Sequence, residues 1–273
     1  MTRGALLSLH AQATIPMPEF PDTELIRRGT ATLLASWEAY ARDTPGASVL
    51  RAPGVVAAIF PHEPERSVYN NALLARDLPA EARASALETM AAAYAAAGIQ
   101  QFAAWVDETD AGARTDLKHR GYILRSSTRM MGMPLAALRL PRPAIEVGSP
   151  AWEAYVHRFA LPPGLLAGAD LSAFHLLVAR LDGEDVAAAL AFDHEADCGI
   201  YNVETLEHAR RRGLGSALTL LHLHDAMARG CQTASLQATP MAERLYAAAG
   251  FRDLGRFLEY EPAGLALRSN AGY

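Results

Sequence analysis

Val203-Glu204-Thr205-Leu206-Glu207-His208-Ala209-Arg210-Arg211-Arg212-Gly213-Leu214-Gly215-Ser216-Ala217-Leu218 is the stretch that decides how this chain reads. A strand-like run meets consecutive arginines, then glycines spaced by one residue, then a strongly apolar helix. That order describes a site for a phosphate-rich ligand. The strand fixes the loop, glycine lets backbone N–H groups approach an anion closely, and the helix dipole turns its positive end there. Each such contact contributes roughly 0.3–2 kcal/mol, so several must converge. Two familiar phosphate loops are excluded by spelling. A P-loop needs lysine and a hydroxyl residue directly after its last glycine, whereas Gly215 is followed by Ser216 and Ala217. A dinucleotide fingerprint needs a small residue three positions past the second glycine, where Leu218 stands.

Working outward, Gln232 to Gln237 reads as a short strand bounded by Gly230 and Pro240. The next segment, to Phe251, predicts a helix with Thr239 at the N-cap, Pro240 in the first turn and Gly250 as the stop. Upstream, Phe174 to Arg180, Asp185 to Phe192 and Gly199 to Thr205 predict three strands, with a turn at Asp182-Gly183.

Arg-x-x-Gly-x-Gly, spelled by Arg210, Gly213 and Gly215, resembles the acetyl-CoA pyrophosphate loop of the GNAT superfamily of N-acyltransferases. The helix carrying Leu245-Tyr246 and ending in Gly250-Phe251 resembles the second half of that family's acyl-CoA site. The plain alternative is a glycine-rich helix start beside a solvated arginine cluster. The resemblance covers about residues 144 to 262 and implies an α/β (α+β) fold with a mixed central β-sheet flanked by helices.

The chain has 273 residues, comfortable for two lobes, with 51% hydrophobic and 20% charged residues, as in a water-soluble globular protein with ample core. No apolar run reaches the roughly 20 residues a membrane span needs. Met1 to Phe20 lacks the layout of a signal peptide. Cys198 and Cys231 are too few for a disulfide framework or a zinc site, so a cytoplasmic location is expected, with no metal. A net charge of −5 argues against nucleic-acid binding. His222 and His224, two apart on a helix, do not form a metal pair.

Leu140-Pro141-Arg142-Pro143 reads as a stiff connector. Before it stands an echo of the later pattern. Val55 to Phe60 and Ser67 to Leu74 read as strands, Pro79 to Ala97 as a helix, Gln101 to Val106 as a strand, and a helix stops at Gly121-Tyr122. The predicted layout is an arm over 1–27, a degenerate GNAT-like lobe over 28–140, the catalytic lobe over 144–262 and a tail over 263–273. At the junction matching the phosphate loop, the first lobe has Arg76-Asp77-Leu78-Pro79-Ala80-Glu81, with no glycine and with acids where an anion would sit. That lobe is expected to be structural, or to wall one side of an acceptor site.

The resemblance implies transfer of an acetyl group from acetyl-CoA to a primary amine by direct attack in a ternary complex. Val203, Glu204 and Thr205 lie on the strand expected to hold the pantetheine and thioester. Arg210, Arg211, Arg212, Gly213, Leu214, Gly215 and Ser216 are expected to hold the diphosphate. Tyr246 matches the family's general acid. Its place in an Ala242, Leu245, Tyr246, Ala249 stripe equally suits core packing. Glu204, on the strand face opposite Val203 and Thr205, is the candidate base, and serves as well as a binding carboxylate or a surface residue. Two departures from the family pattern are Thr239 for an asparagine and Glu207 for a proline. The acceptor is expected to be a small molecule in preference to a protein, and the protein a monomer or homodimer. A non-catalytic CoA-binding regulatory protein, or transfer of another acyl group, are the alternatives.

Overall fold

The computed structural model describes residues 20–42, 44–62, 69–159, 161 and 173–263. In the first half, β1 (Ser48–Ala52) and β2 (Val55–Ile59) pair across Pro53-Gly54, where Gly54 takes the positive φ of 81° that this tight turn asks of glycine. β3 (Asn71–Leu74) follows, then α2 (Ala80–Ala96) and β4 (Ala103–Asp107). α3 (Ala111–His119) is capped by Asp110, whose carboxylate accepts the Ala113 N–H at 2.9 Å, and leads into β5 (Tyr122–Pro134).

The second half repeats the plan. β6 (Val147–Gly148), α4 (Trp152–Arg158), β7 (Phe174–Leu181), β8 (Glu184–His194) and β9 (Asp197–Thr205) come first. The β7–β8 turn places Asp182 and Gly183 at positive φ, as an Asp-Gly hairpin requires. Then come α5 (Leu214–Arg229), β10 (Thr233–Ala238), α6 (Glu243–Ala249) and β11 (Arg252–Pro262). In both halves a strand and a helix are followed by a parallel strand: α2 joins β3 to β4, and α5 joins β9 to β10.

The described strands form one sheet of order β1-β2-β3-β4-β11-β5-β10-β9-β8-β7-β6. The closing strands of the halves are exchanged. β5, from the first half, lies against β10, whereas β11, from the second, lies against β4. β5 and β11 pair with one another along their lengths, with register shifts near Gly255 and between Glu259 and Tyr260.

Helices cover both faces. α2 and α3 bury Leu87, Met90, Tyr94 and Leu117 against the first half. On the same face, α5 and α6 bury Leu218, Leu223 and Tyr246 against the second. The other face carries a core running through both halves, from Trp105 to Val178 and Leu190. Over it lies α1 (Asp22–Arg42), with acids in its first turn and Arg42 in its last, the order the helix dipole favours. Gly29 lets α1 lie close on β10, since a Cβ there would stand 2.8 Å from Ser235 Cβ.

Several expectations shift in detail. α1 begins at Asp22, inside the arm read over residues 1–27, and nearly all of the tail read over 263–273 lies outside the described residues. β1 and β5 were not foreseen. The predicted strand from Ser67 begins only at Asn71 among the described residues. α6 begins at Glu243, not after Thr239. The segment between them is a turn closed by the Ala242 N–H donating to Thr239 O at 2.9 Å. Among the described residues no helix is long and apolar enough to cross a membrane.

Candidate active site

β9 and β10 run parallel for only three pairs, Asp197 to Gly199 against Thr233 to Ser235, and are unpaired beyond. Under α1, the paired end is fixed by buried Asp197, whose carboxylate accepts the Thr233 and Ser235 hydroxyls at 2.6 and 2.7 Å. Past Gly199 the strands part and a wedge opens at their carboxyl ends.

β9 changes face inside that wedge. Its pairing with β8 slips between Tyr201 and Glu204, and Asn202 sits at a φ of 49°, a conformation asparagine tolerates better than most residues. Tyr201 therefore points to the α1 side, over Gly199, while Val203 and Thr205 face α5. At Gly215, a Cβ would stand 3.5 Å from Val203 Cγ1 and 3.9 Å from Thr205 Oγ1, so α5 starts directly beside this strand. Glu204 is exposed on the opposite side and is not part of the cavity wall described below.

Beyond Thr205 the chain makes a short 3-10 turn, Glu207–Ala209, and Arg210 swings back so that its Nε donates to Thr205 O at 3.0 Å. Arg211 and Gly213 both adopt left-handed backbone, with φ of 63° and 77°. α5 then starts without a side-chain cap, and its first hydrogen bond onto the loop runs from Ala217 N to Gly213 O at 2.9 Å. Among the described residues, the N–H groups from Arg211 to Ser216 find no backbone acceptor. Bare amides at a helix start, beside the exposed side chains of Arg210, Arg211 and Arg212, suit a diphosphate. The equivalent junction of the first half is filled by protein: Arg76 pairs with Asp107 at 2.9 Å and Arg83 Nη1 donates to Leu78 O at 2.8 Å.

A cavity of about 430 Å³ occupies the wedge. Asn202 and Val203 line it from β9, Gln237 from β10, Thr239 from the turn, and Tyr246 from α6. α1 supplies Ser36, Trp37 and Tyr40, and the first half supplies Phe60, Tyr69, Asn71 and Trp105. The first half therefore lines one side of this space. Asn70 is structural, its Oδ1 accepting the Phe60 N–H at 2.8 Å.

Tyr246 belongs to the core and also borders the cavity. Only 6% exposed, it meets Phe251 edge-on at 5.9 Å within the α6 core, yet it also lines the cavity. Burial pushes its phenol up to about 12. α6 is anchored through Glu243, which accepts from Arg129 at 2.8 Å and Arg256 at 2.6 Å. His222 and His224 point apart, to Ala189 O and Leu140 O, and no metal-binding group occurs among the described residues. The α1 residues, Trp105, Asn202 and Glu259, which also lines the cavity, escaped sequence reasoning. A stripe at Leu33, Ser36, Trp37 and Tyr40 was the signal for α1.

The model of the acetyltransferase (GNAT) domain family matches residues 172–253. Among solved structures, a GCN5-related N-acetyltransferase from Kribbella flavida superposes with a TM-score of 0.65 at 21% identity, over 88% of this chain and 98% of that one. One from Sphaerobacter thermophilus gives 0.55 at 19% identity, over 88% and 91%. A tandem GNAT protein from the clavulanic acid biosynthesis pathway gives 0.53 at 12% identity, over 86% and 94%. These likenesses show a shared fold. A comparison with curated proteins finds no match.

Proposed function

Taking as premise that residues 172–253 form a domain of the GNAT acetyltransferase family, whose general reaction is acyl transfer from acetyl-CoA, we propose that this protein acetylates a primary amine. The catalytic unit is the half over 144–262; the half over 28–140 is a degenerate repeat that keeps a wall of the site and no cofactor loop. The observation that carries this reading is the row of unaccepted amides from Arg211 to Ser216, set beside the wedge between β9 and β10.

The amides and Arg210 hold the diphosphate of acetyl-CoA, and the β9 edge from Val203 to Thr205 takes the pantetheine. The neutral amine nitrogen attacks the thioester carbonyl carbon, the C–S bond breaks, and the Tyr246 hydroxyl gives its proton to the departing sulfur. With a phenol pushed to about 12, Tyr246 stays protonated through the neutral range, as an acid must. The proton shed by nitrogen goes to solvent through water. Free Cys198 and Cys231 suit a reducing, cytoplasmic setting. The test is calorimetry with acetyl-CoA and CoA, followed by detection of free CoA thiol with a panel of amines. Binding with thiol release supports the reading; no binding of either nucleotide overturns it.

A further inference from the structure

Resting on that acyl-transfer reading, we infer that the acceptor is a small monoamine on an apolar body, its ammonium received by Glu259 and its hydrocarbon held between the aromatic side chains of α1 and the first half's sheet. Neighbouring strands turn one face to the cavity: Asn71 from β3, Trp105 from β4, Glu259 from β11 and Thr128 from β5. Glu259 is register-paired with Trp105 on one side and Ser126 on the other, so carboxylate and indole are direct cross-strand neighbours. α1 closes over them with Trp37 and Tyr40, and Trp37 meets Trp105 edge to face at 6.0 Å.

Among the described residues, Glu259 is the one charged side chain in the cavity wall, and no basic side chain pairs with it. Arg125 on adjacent β5 pairs instead with Glu261, at 3.8 Å. The hydroxyl of Ser126 donates to Glu259 Oε2 at 2.6 Å. Burial raises the Glu259 pKa above the ordinary carboxylate range, outweighing its hydrogen bonds. A half-buried carboxylate among aromatic rings gains most from a cation, which the rings also attract through their π faces.

The remaining wall sets the rest of the molecule. Trp37, Phe60, Trp105 and Tyr201 offer hydrocarbon surface suited to an aryl or alkyl group. Among the described residues, Tyr40 Oη and Trp105 Nε1 are buried without a partner, on residues 8% and 9% exposed, and both can donate to a hydroxyl or ether oxygen on the ligand. A single carboxylate matches a single positive charge. A volume of about 430 Å³ suits a small molecule.

Calorimetry on the full-length protein tests this with 2-phenylethylamine, its neutral analogue 2-phenylethanol, glucosamine and a short lysine peptide, each without and with CoA. The arylalkylamine should bind at least tenfold tighter than the alcohol and the other amines. Glu259→Gln should weaken the amine by about 10- to 100-fold, leave the alcohol unchanged and leave CoA affinity intact. In turnover, kcat/KM for the amine should fall by the same factor, since the nitrogen received by Glu259 is the one that must shed its proton and attack. Trp105→Phe, which keeps the ring, should bind the amine with the Glu259 preference preserved and checks that the cavity remains formed. Equal binding of amine and alcohol, or an unaltered amine affinity in Glu259→Gln, overturns the inference. So does preferred acetylation of glucosamine or the peptide, a result that would leave acyl transfer standing. Amine binding without thiol release would sink the transfer reading and keep the site.

Discussion

Tyr246 and His222 are both buried titratable groups of the second half, and their surroundings give them opposite uses. Tyr246 is 6% exposed and opens on the cavity, with a phenol raised to about 12. Tyr246→Phe keeps the edge-on contact with Phe251 and removes only the hydroxyl, so turnover should fall roughly 10²–10⁴-fold while acetyl-CoA affinity stays nearly unchanged. Unaltered turnover would remove Tyr246 from the mechanism. His222 is sealed under β8, its Nε2 at 3.0 Å from Ala189 O, and burial lowers its pKa to about 4. The unfolded chain protonates this ring near pH 6.5, whereas the folded chain resists until about 4. Folding stability is therefore intact above pH 6.5 and declines as pH falls through that window. The part due to His222 should be about 2 kcal/mol between pH 6.5 and 5. Urea titrations at both pH values should show that slope reduced in His222→Gln, whose amide still donates to Ala189 O.

At the scale of elements, the start of α5 separates backbone geometry from ligand space. Gly213 takes a φ of 77° with nothing near its absent Cβ, so Gly213→Ala should cost about 1–2 kcal/mol through backbone strain alone. Gly215 has ordinary room, 3.5 Å from Val203, so Gly215→Ala should keep or slightly raise thermal stability. It should still weaken CoA binding, because the new methyl stands between the start of α5 and Val203 and Thr205, the strand proposed to take the pantetheine. Equal CoA affinity in Gly215→Ala and the parent protein would move that ligand elsewhere. This loop was the most legible part of the chain, since glycine spacing and an arginine run carry their geometry locally. The β7 to β10 strands were legible for the same reason, bounded by Gly, Pro and an Asp-Gly turn. The slip at Asn202 was not, because a bulge is set by pairing with β8 and leaves no period in the sequence. β5 was hidden as well: Arg125 to Arg129 mixes charge and hydroxyl groups, and only its position between β11 and β10 makes it a central strand. Glu259 and Trp105 lie far apart in sequence, so nothing local announced that they share a wall.

At the scale of the whole molecule, the exchange of β5 and β11 makes each half an incomplete sheet. Residues 144–273 alone would expose the β10 edge that β5 covers and leave β11 without β4 or β5. Expressed alone, that piece should aggregate or lack a cooperative thermal transition, and co-expression with residues 1–143 should restore a soluble complex that co-purifies. A monodisperse, cooperatively melting 144–273 fragment would show that the exchange is dispensable. Through the exchange the first half lends the second a strand and the cavity part of its aromatic wall.

β11 fills the slot between β4 and β5 and ends at Pro262. During synthesis, then, the amino-terminal half emerges before the strand that parts β4 from β5 in the finished sheet, a segment some 120 residues beyond β5. β11, once made, locks both halves together.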